Sequence, residues 1–267
     1  MTGQDELQTW EAVERIRQLS PIIHNITNYV VMNNTANALL ALGASPVMAH
    51  AEEEVVDMVG IASSLVINIG TLSRDWIKAM GKAAERAVER GLPIVLDPVG
   101  AGATPYRTAT ARDLASAFHP AIIRGNASEI MAVCGEQART RGVDSGAAGQ
   151  DAVAAAQTLF ETWGSVVCIS GATDYIIGKA RHQVRNGHPM MTRVTGLGCT
   201  ASALCGAFAA VTPDPAQAAA QAMVVMGVAG EMAAELAEGP GSLQVRFLDA
   251  LYRMTRDDLA RRIRTGA

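Results

Sequence analysis

The run Ser64-Leu-Val-Ile-Asn-Ile-Gly70, a stretch over 73–90 closed by Gly91, and then Pro93-Ile-Val-Leu-Asp97 decide the fold. Each apolar run is short, rich in β-branched residues and bounded by glycine or proline, the pattern of a strand buried on both faces. The stretch between them predicts a helix. Strand, helix and strand in succession make a unit whose strands lie parallel, with the connection covering one face.

The same grammar repeats outward in both directions. Upstream, Leu7, Trp10, Val13 and Ile16 recur among charges over 5–18, which predicts an amphipathic helix. Pro21-Ile-Ile-His-Asn-Ile-Thr-Asn28 reads as a short strand with Asn25, Thr27 and Asn28 at its polar end. A helix over 30–42 closed by Gly43, a strand at Ser45-Pro-Val-Met-Ala49 and a helix start over 52–58 follow. Downstream come a helix over 106–118, a strand at 121–124, a helix opened by Gly125-Asn-Ala-Ser-Glu129, an exposed loop over 135–149 and a helix over 151–163. A strand at 165–170 and a pair of strands within 174–187 precede an almost wholly helical end, broken at Pro213 and Gly239-Pro-Gly-Ser242. The expectation is an α/β fold with a mostly parallel central sheet and helices on both faces, forming one domain over 1–267. Ligands of such sheets bind at the carboxyl ends of the strands.

With 267 residues, 49% of them hydrophobic and only 4% aromatic, the core is filled by Ala, Val, Ile, Leu and Met. A net charge of −4 argues against nucleic acid or an anionic membrane surface as partner, and no apolar run reaches membrane-spanning length. The start of the chain has no basic region followed by an apolar core, and the four cysteines form no C-x-x-C pair, so reduced thiols in the cytoplasm are expected.

Val194-Thr-Gly-Leu-Gly-Cys-Thr-Ala-Ser-Ala-Leu204 places two glycines and a cysteine ahead of a small, apolar, helix-favouring run. A helix starting near Cys199 aims free N–H groups and its positive end at an anion, phosphate above all. A plain strand-to-helix turn is the alternative. Gly196-Leu-Gly198-Cys-Thr-Ala201 also fits the dinucleotide pattern, but that fingerprint belongs to a first strand–helix unit, not two-thirds along a chain. No P-loop sequence occurs. Cys199 is read either as a small core residue or as a thiol whose pKa the helix start lowers, and Cys134, Cys168 and Cys205 as core. Asn126 and Glu129, three apart, suit Mg²⁺ or its waters, or else form a helix cap. Asp97 is a strand-end acid or a turn former.

Taken in order, His24-Asn-Ile-Thr-Asn28, Ser45-Pro-Val-Met48, Asn68-Ile-Gly-Thr71, Asp97-Pro-Val-Gly-Ala-Gly-Ala-Thr104, Arg124-Gly-Asn-Ala-Ser-Glu129, Thr195-Gly-Leu-Gly-Cys199 and Gly239-Pro-Gly-Ser242 span nearly the whole chain. In these pieces the sequence resembles the hydroxyethylthiazole kinases, thiamin-salvage members of the ribokinase-like superfamily. Cys199 is the best discriminator, because most ribokinase-like enzymes carry aspartate there.

The resemblance implies transfer of the ATP γ-phosphate to the primary alcohol of 4-methyl-5-(2-hydroxyethyl)thiazole with Mg²⁺, in a homotrimer whose active sites lie between subunits. By position it implies that Met48, Gly196 and Asn25 meet the thiazole alcohol and Arg124 and Ser170 meet ATP. Asn126, Glu129 and Asp97 surround the metal, and Cys199 is catalytic. The chain departs from the family at Ser170, where threonine is frequent, and at Ala172-Thr-Asp174, where Glu-Val-Asp is common. Two alternatives stand beside this reading. One is a kinase of another small alcohol, of pyridoxal or hydroxymethylpyrimidine type, against which Cys199 argues. The other is a non-catalytic thiazole- or nucleotide-binding module.

Overall fold

The computed structural model describes residues 2–135 and 145–266. The strands are β1 (Ile22–Ile26), β2 (Ser45–Val47), β3 (Ser64–Asn68), β4 (Ile94–Asp97), β5 (Ile122–Asn126), β6 (Val166–Ser170), β7 (Asp174–Ile177), β8 (Arg181–Val184) and β9 (Thr265–Gly266). They form one sheet in the order β2-β1-β3-β4-β5-β6-β7-β8-β9. The first six run parallel, and β7, β8 and β9 are antiparallel to their neighbours. All six parallel strands therefore end on one edge of the sheet.

The helices are α1 (Thr2–Leu19), α2 (Met32–Leu42), α3 (Val55–Ile61), α4 (Arg74–Glu89), α5 (Pro105–Phe118), α6 (Ala127–Cys134), α7 (Ser145–Trp163), α8 (Leu197–Ala209), α9 (Pro215–Ala234), α10 (Pro240–Arg253) and α11 (Arg256–Arg262). Alternation along the strands sends side chains to two separate cores. Ile23, Val66, Val95 and Ile122 pack with α1, α2, α8, α9 and α10. Leu65, Ile67, Leu96 and Ile123 pack with α3 to α7. Helix α8 is buried at every position from Thr200 to Phe208, so it needs no polar face. Local chemistry sets the helix ends: Ser73 accepts from Trp76 N (3.2 Å) to open α4, Thr104 from Arg107 N (3.3 Å) to open α5, and Gly43 closes α2 at φ 112°.

Several expectations need correction. Positions 145–149 are the first turns of α7 rather than loop, while the rest of that expected loop, 136–144, lies outside the described residues. Asn25 sits inside β1, whose pairing with β3 runs on to Ile26↔Ile67, so only Thr27 and Asn28 follow the strand. Cys134 is half-buried at the end of α6, not core. The two-residue β9 and the 3-10 turn Pro189–Arg193 were not anticipated. Among the described residues, no helix is long and apolar enough to cross a membrane.

Candidate active site

Strands β1, β3, β4 and β5 present polar residues at or just past their carboxyl ends, and α8 begins above them. Asn28, Asn68, Asp97 and Ser202 form a buried hydrogen-bonded row. Asn68 Nδ2 donates to Asp97 Oδ2 (2.8 Å), and Asn28 Nδ2 donates to Asn68 Oδ1 (3.0 Å). Ser202 Oγ donates to the same Asp97 oxygen from α8 (2.8 Å). Asn28 Nδ2 also reaches Cys199 Sγ at 3.4 Å, which ties the cysteine to the row. Arg107 holds the two neighbouring loops together, donating to Ile69 O (2.8 Å), Val99 O (2.9 Å) and Gly70 O (2.9 Å).

Gly196 is the N-cap of α8 at φ 85°, a conformation that L side chains resist, and a Cβ there would lie 2.7 Å from Val31 Cγ1. Two residues on, a Cβ at Gly198 would lie 3.1 Å from Arg124 Nη1, and Arg124 Nη1 donates to Gly198 O across 3.0 Å. The guanidinium therefore sits against the turn itself. The first N–H groups of a helix lack intrahelical partners, so this corner combines free donors with a fixed cation.

Charge in the row is tuned by burial. Asp97 is 2% exposed, and burial pushes its carboxyl up to about 6 against the opposing pull of Arg124 and the bonds from Ser202 and Asn68. It is thus mainly ionised at pH 7. Burial, followed by the negative charge of Asp97, pushes the Cys199 thiol up to about 11, although Asn68, Asn28 and Arg124 pull the other way. Of the two readings of Cys199 left open in the sequence, the thiol lowered by the helix start is set aside: desolvation and a carboxylate outweigh a helix dipole. Cys199 is a neutral thiol at pH 7.

Asn126 and Glu129 form a complete capping box on α6. Asn126 Oδ1 accepts from Glu129 N (3.0 Å), and Glu129 Oε2 accepts from Asn126 N (2.9 Å). Glu129 Oε1 also accepts from Gly100 N (2.9 Å), bridging to the loop after β4. The capping role is present whatever else these residues do.

The other expected site residues occupy the same edge, with one exception. Ser170 ends β6, its Oγ donating to Gly125 O (3.3 Å), and half-buried Met48 follows β2. Asn25 is the exception: it is fully buried within β1, donates to Ile23 O (2.8 Å), and its Oδ1 has no partner among the described residues. Asn28 reaches the cysteine in its place. Asn28, Asn68 and Ser202 join this row without having been singled out from the sequence, although Asn28 and Asn68 stand in stretches that carry the family resemblance.

A mostly parallel sheet with helices on both faces, and a glycine turn opening a helix above the strand ends, define a ribokinase-like fold. A ribokinase-like superfamily protein from Enterococcus faecalis V583 has the same fold, with TM-score 0.61 at 14% identity over 86% of each chain. The chain belongs to the hydroxyethylthiazole kinase family, which matches residues 13–257. Hydroxyethylthiazole kinase of Syntrophus aciditrophicus is 67% identical over 261 residues, 97% of each protein. The structure of a hydroxyethylthiazole kinase protein from Pyrococcus horikoshii OT3 superposes with TM-score 0.90 at 44% identity, covering 97% of this chain and 98% of that one. The reaction is transfer of the γ-phosphoryl group of ATP to the primary alcohol of 4-methyl-5-(2-hydroxyethyl)thiazole, a step of thiamin salvage.

Proposed function

We propose that the transfer takes place at the row of strand ends beneath α8, with the alcohol oxygen beside Cys199 Sγ. The observation that carries this is the convergence of Cys199, the Asp97 row and Arg124 on the Gly196–Cys199 turn. Phosphoryl transfer through a loose transition state asks mainly for alignment and charge neutralisation. Arg124 and the first N–H groups of α8 supply the latter for the transferring phosphate, and Ser170 lies on the nucleotide side. Met48 and Gly196 border the thiazole alcohol. Because the Cys199 thiol is neutral at pH 7, its part is to orient the hydroxyl, whose proton leaves late in such a reaction. Asn28 takes the polar position first assigned to Asn25.

The donor set suits Mg²⁺. Asp97, Asn126 and Glu129 offer hard oxygens where the adjoining strands β4 and β5 end and α6 begins; Asp97 Oδ1 and both Glu129 oxygens keep a lone pair beyond the bonds described, whereas Asp97 Oδ2 already accepts from Asn68 and Ser202. Among the described residues, no three His, Cys, Asp or Glu side chains gather as a metal-binding group. An ion held here would thus be completed by water and by the phosphates of ATP, whose charge it neutralises.

The chain acts as one kinase domain in a homotrimer in the cytoplasm, the trimer supported by exposed Val30 (67%) beside the site and exposed Leu40 (58%) towards the far end of α2. An ATP-turnover assay with and without the thiazole alcohol, in Mg²⁺ and in EDTA, tests the reading. Turnover that needs both alcohol and metal is expected, and turnover without the alcohol or undiminished in EDTA contradicts it. Light scattering that returned a fully active monomer would contradict the trimer.

A further inference from the structure

Three aromatic rings meet beside the row, and the mechanism above uses none of them. Tyr29 follows Asn28, whose amide touches Cys199 Sγ. Its ring centroid lies 5.0 Å from Trp76 at 55° and 6.2 Å from His50 at 88°, and His50 and Trp76 are 4.6 Å apart. Trp76 is 6% exposed in the first turn of α4, which anchors the group, whereas Tyr29 remains 62% exposed. A tyrosine held by two rings and still open to solvent presents a fixed aromatic surface.

The sheet order says what this surface faces. Tyr29 follows β1 and His50 follows β2, on one side of Asp97 in β4, while Arg124 and Ser170 belong to β5 and β6 on the other. With the nucleotide on the β5–β6 side, the acceptor enters from β1 and β2. Met48, whose carbonyl accepts from His50 Nδ1 at 3.4 Å, borders the same entrance. The geometry points to Tyr29, backed by His50 and Trp76, as the wall against which the flat thiazole ring of the acceptor packs, so that it selects heteroaromatic over acyclic alcohols. This rests on the site reading above and adds the specificity determinant to it. An aromatic pair contributes enough beyond its buried area to change affinity by roughly tenfold.

The test measures KM and kcat of Tyr29→Ala and Tyr29→Phe for the thiazole alcohol, for an acyclic primary alcohol of similar size, and for ATP. Tyr29→Ala is expected to raise KM for the thiazole alcohol about tenfold. Its kcat, its KM for ATP and its handling of the acyclic alcohol should stay within about twofold of wild type, and Tyr29→Phe should behave as wild type. Titrating the thiazole alcohol without ATP should change tryptophan emission in wild type but not in Trp76→Phe, which retains Trp10 and Trp163. If Tyr29→Ala leaves the acceptor KM unchanged while Met48→Ala raises it, the wall is overturned and the site stands. If neither moves it, both readings fall. Loss of oligomer mass in Tyr29→Ala with unchanged acceptor KM makes Tyr29 a subunit contact and also overturns the proposal.

Discussion

Asn68 and Asp97, adjacent in the β3–β4 register and joined by a 2.8 Å hydrogen bond, connect the sheet through Asn28 to Cys199. Asn68 Nδ2 donates one hydrogen bond to Asp97, and its Oδ1 accepts from Asn28 Nδ2 and from Gly70 N (2.9 Å). Asn68→Ala removes three hydrogen bonds from a buried row, at about 1 kcal/mol each with more for donors left unpaired. A stability loss of about 3 kcal/mol is expected in denaturant unfolding. A loss below about 0.5 kcal/mol would mean that the row contributes nothing to the fold.

The cysteines should react in an order set by desolvation. Cys199 is pushed up to about 11, Cys168 and Cys205 are fully buried, and burial raises the thiol of half-buried Cys134. At pH 7.5 iodoacetamide should therefore modify Cys134 first, and Cys199 should react appreciably only as the pH approaches its high pKa. Peptide mapping that found Cys199 modified first at pH 7.5 would contradict the placement of Asp97 beside it.

Glu129→Gln replaces a carboxylate that accepts from both Gly100 N and Asn126 N with a group that has one acceptor oxygen and one donor. One backbone N–H then faces an NH₂ group. The expected loss is about 1–3 kcal/mol in stability, together with a larger fall in turnover measured well below the melting temperature. Unchanged stability would show that the bridge between the β4 loop and α6 is not energetically significant.

Much of this architecture is legible in the sequence because each strand and its helix are local patterns: β3, α4 and β4 fall within a residue or two of where alternation and glycine place them. What stayed hidden is long-range. Asn28, Asn68 and Ser202 meet Asp97 and Cys199 through bonds between residues 29 to 171 apart, which leave no local pattern. The start of α7 was missed because Gly146 and Gly149 read as loop. Each costs about 1 kcal/mol in a helix, and the burial of Ala152, Ala156 and Leu159 further along outweighs them. The ionisation of Cys199 stayed open in the sequence because the helix start is visible there and the burial and neighbouring carboxylate are not.

Asp174 provides a pH test away from the reacting atoms. Its carboxyl accepts from Gly171 N (2.9 Å), and burial, opposed by that bond and by Arg124, pushes it up to about 6. A carboxyl whose folded pKa exceeds its unfolded value of 3.8 binds more protons in the folded state, so its effect on stability becomes less favourable as pH rises from about 4 to about 6. The slope is at most about 1.4 kcal/mol per pH unit. Asp174→Asn keeps an acceptor for Gly171 and should remove that part of the decline, seen as a smaller loss of unfolding free energy between pH 4 and 7 than in wild type. Parallel curves for the two proteins would contradict the shift.

The central claim, that the alcohol reacts beside Cys199, is tested most directly by steady-state kinetics of Cys199→Ala and Cys199→Ser with the thiazole alcohol and ATP. A neutral thiol that orients the reacting hydroxyl acts through positioning, where a misplacement of about 1 Å can cost about 10²-fold in rate. The account predicts that Cys199→Ala lowers kcat about 100-fold with KM for ATP unchanged, and that Cys199→Ser, which restores a hydrogen-bonding hydroxyl, recovers part of the loss. Wild-type kcat in Cys199→Ala would contradict it.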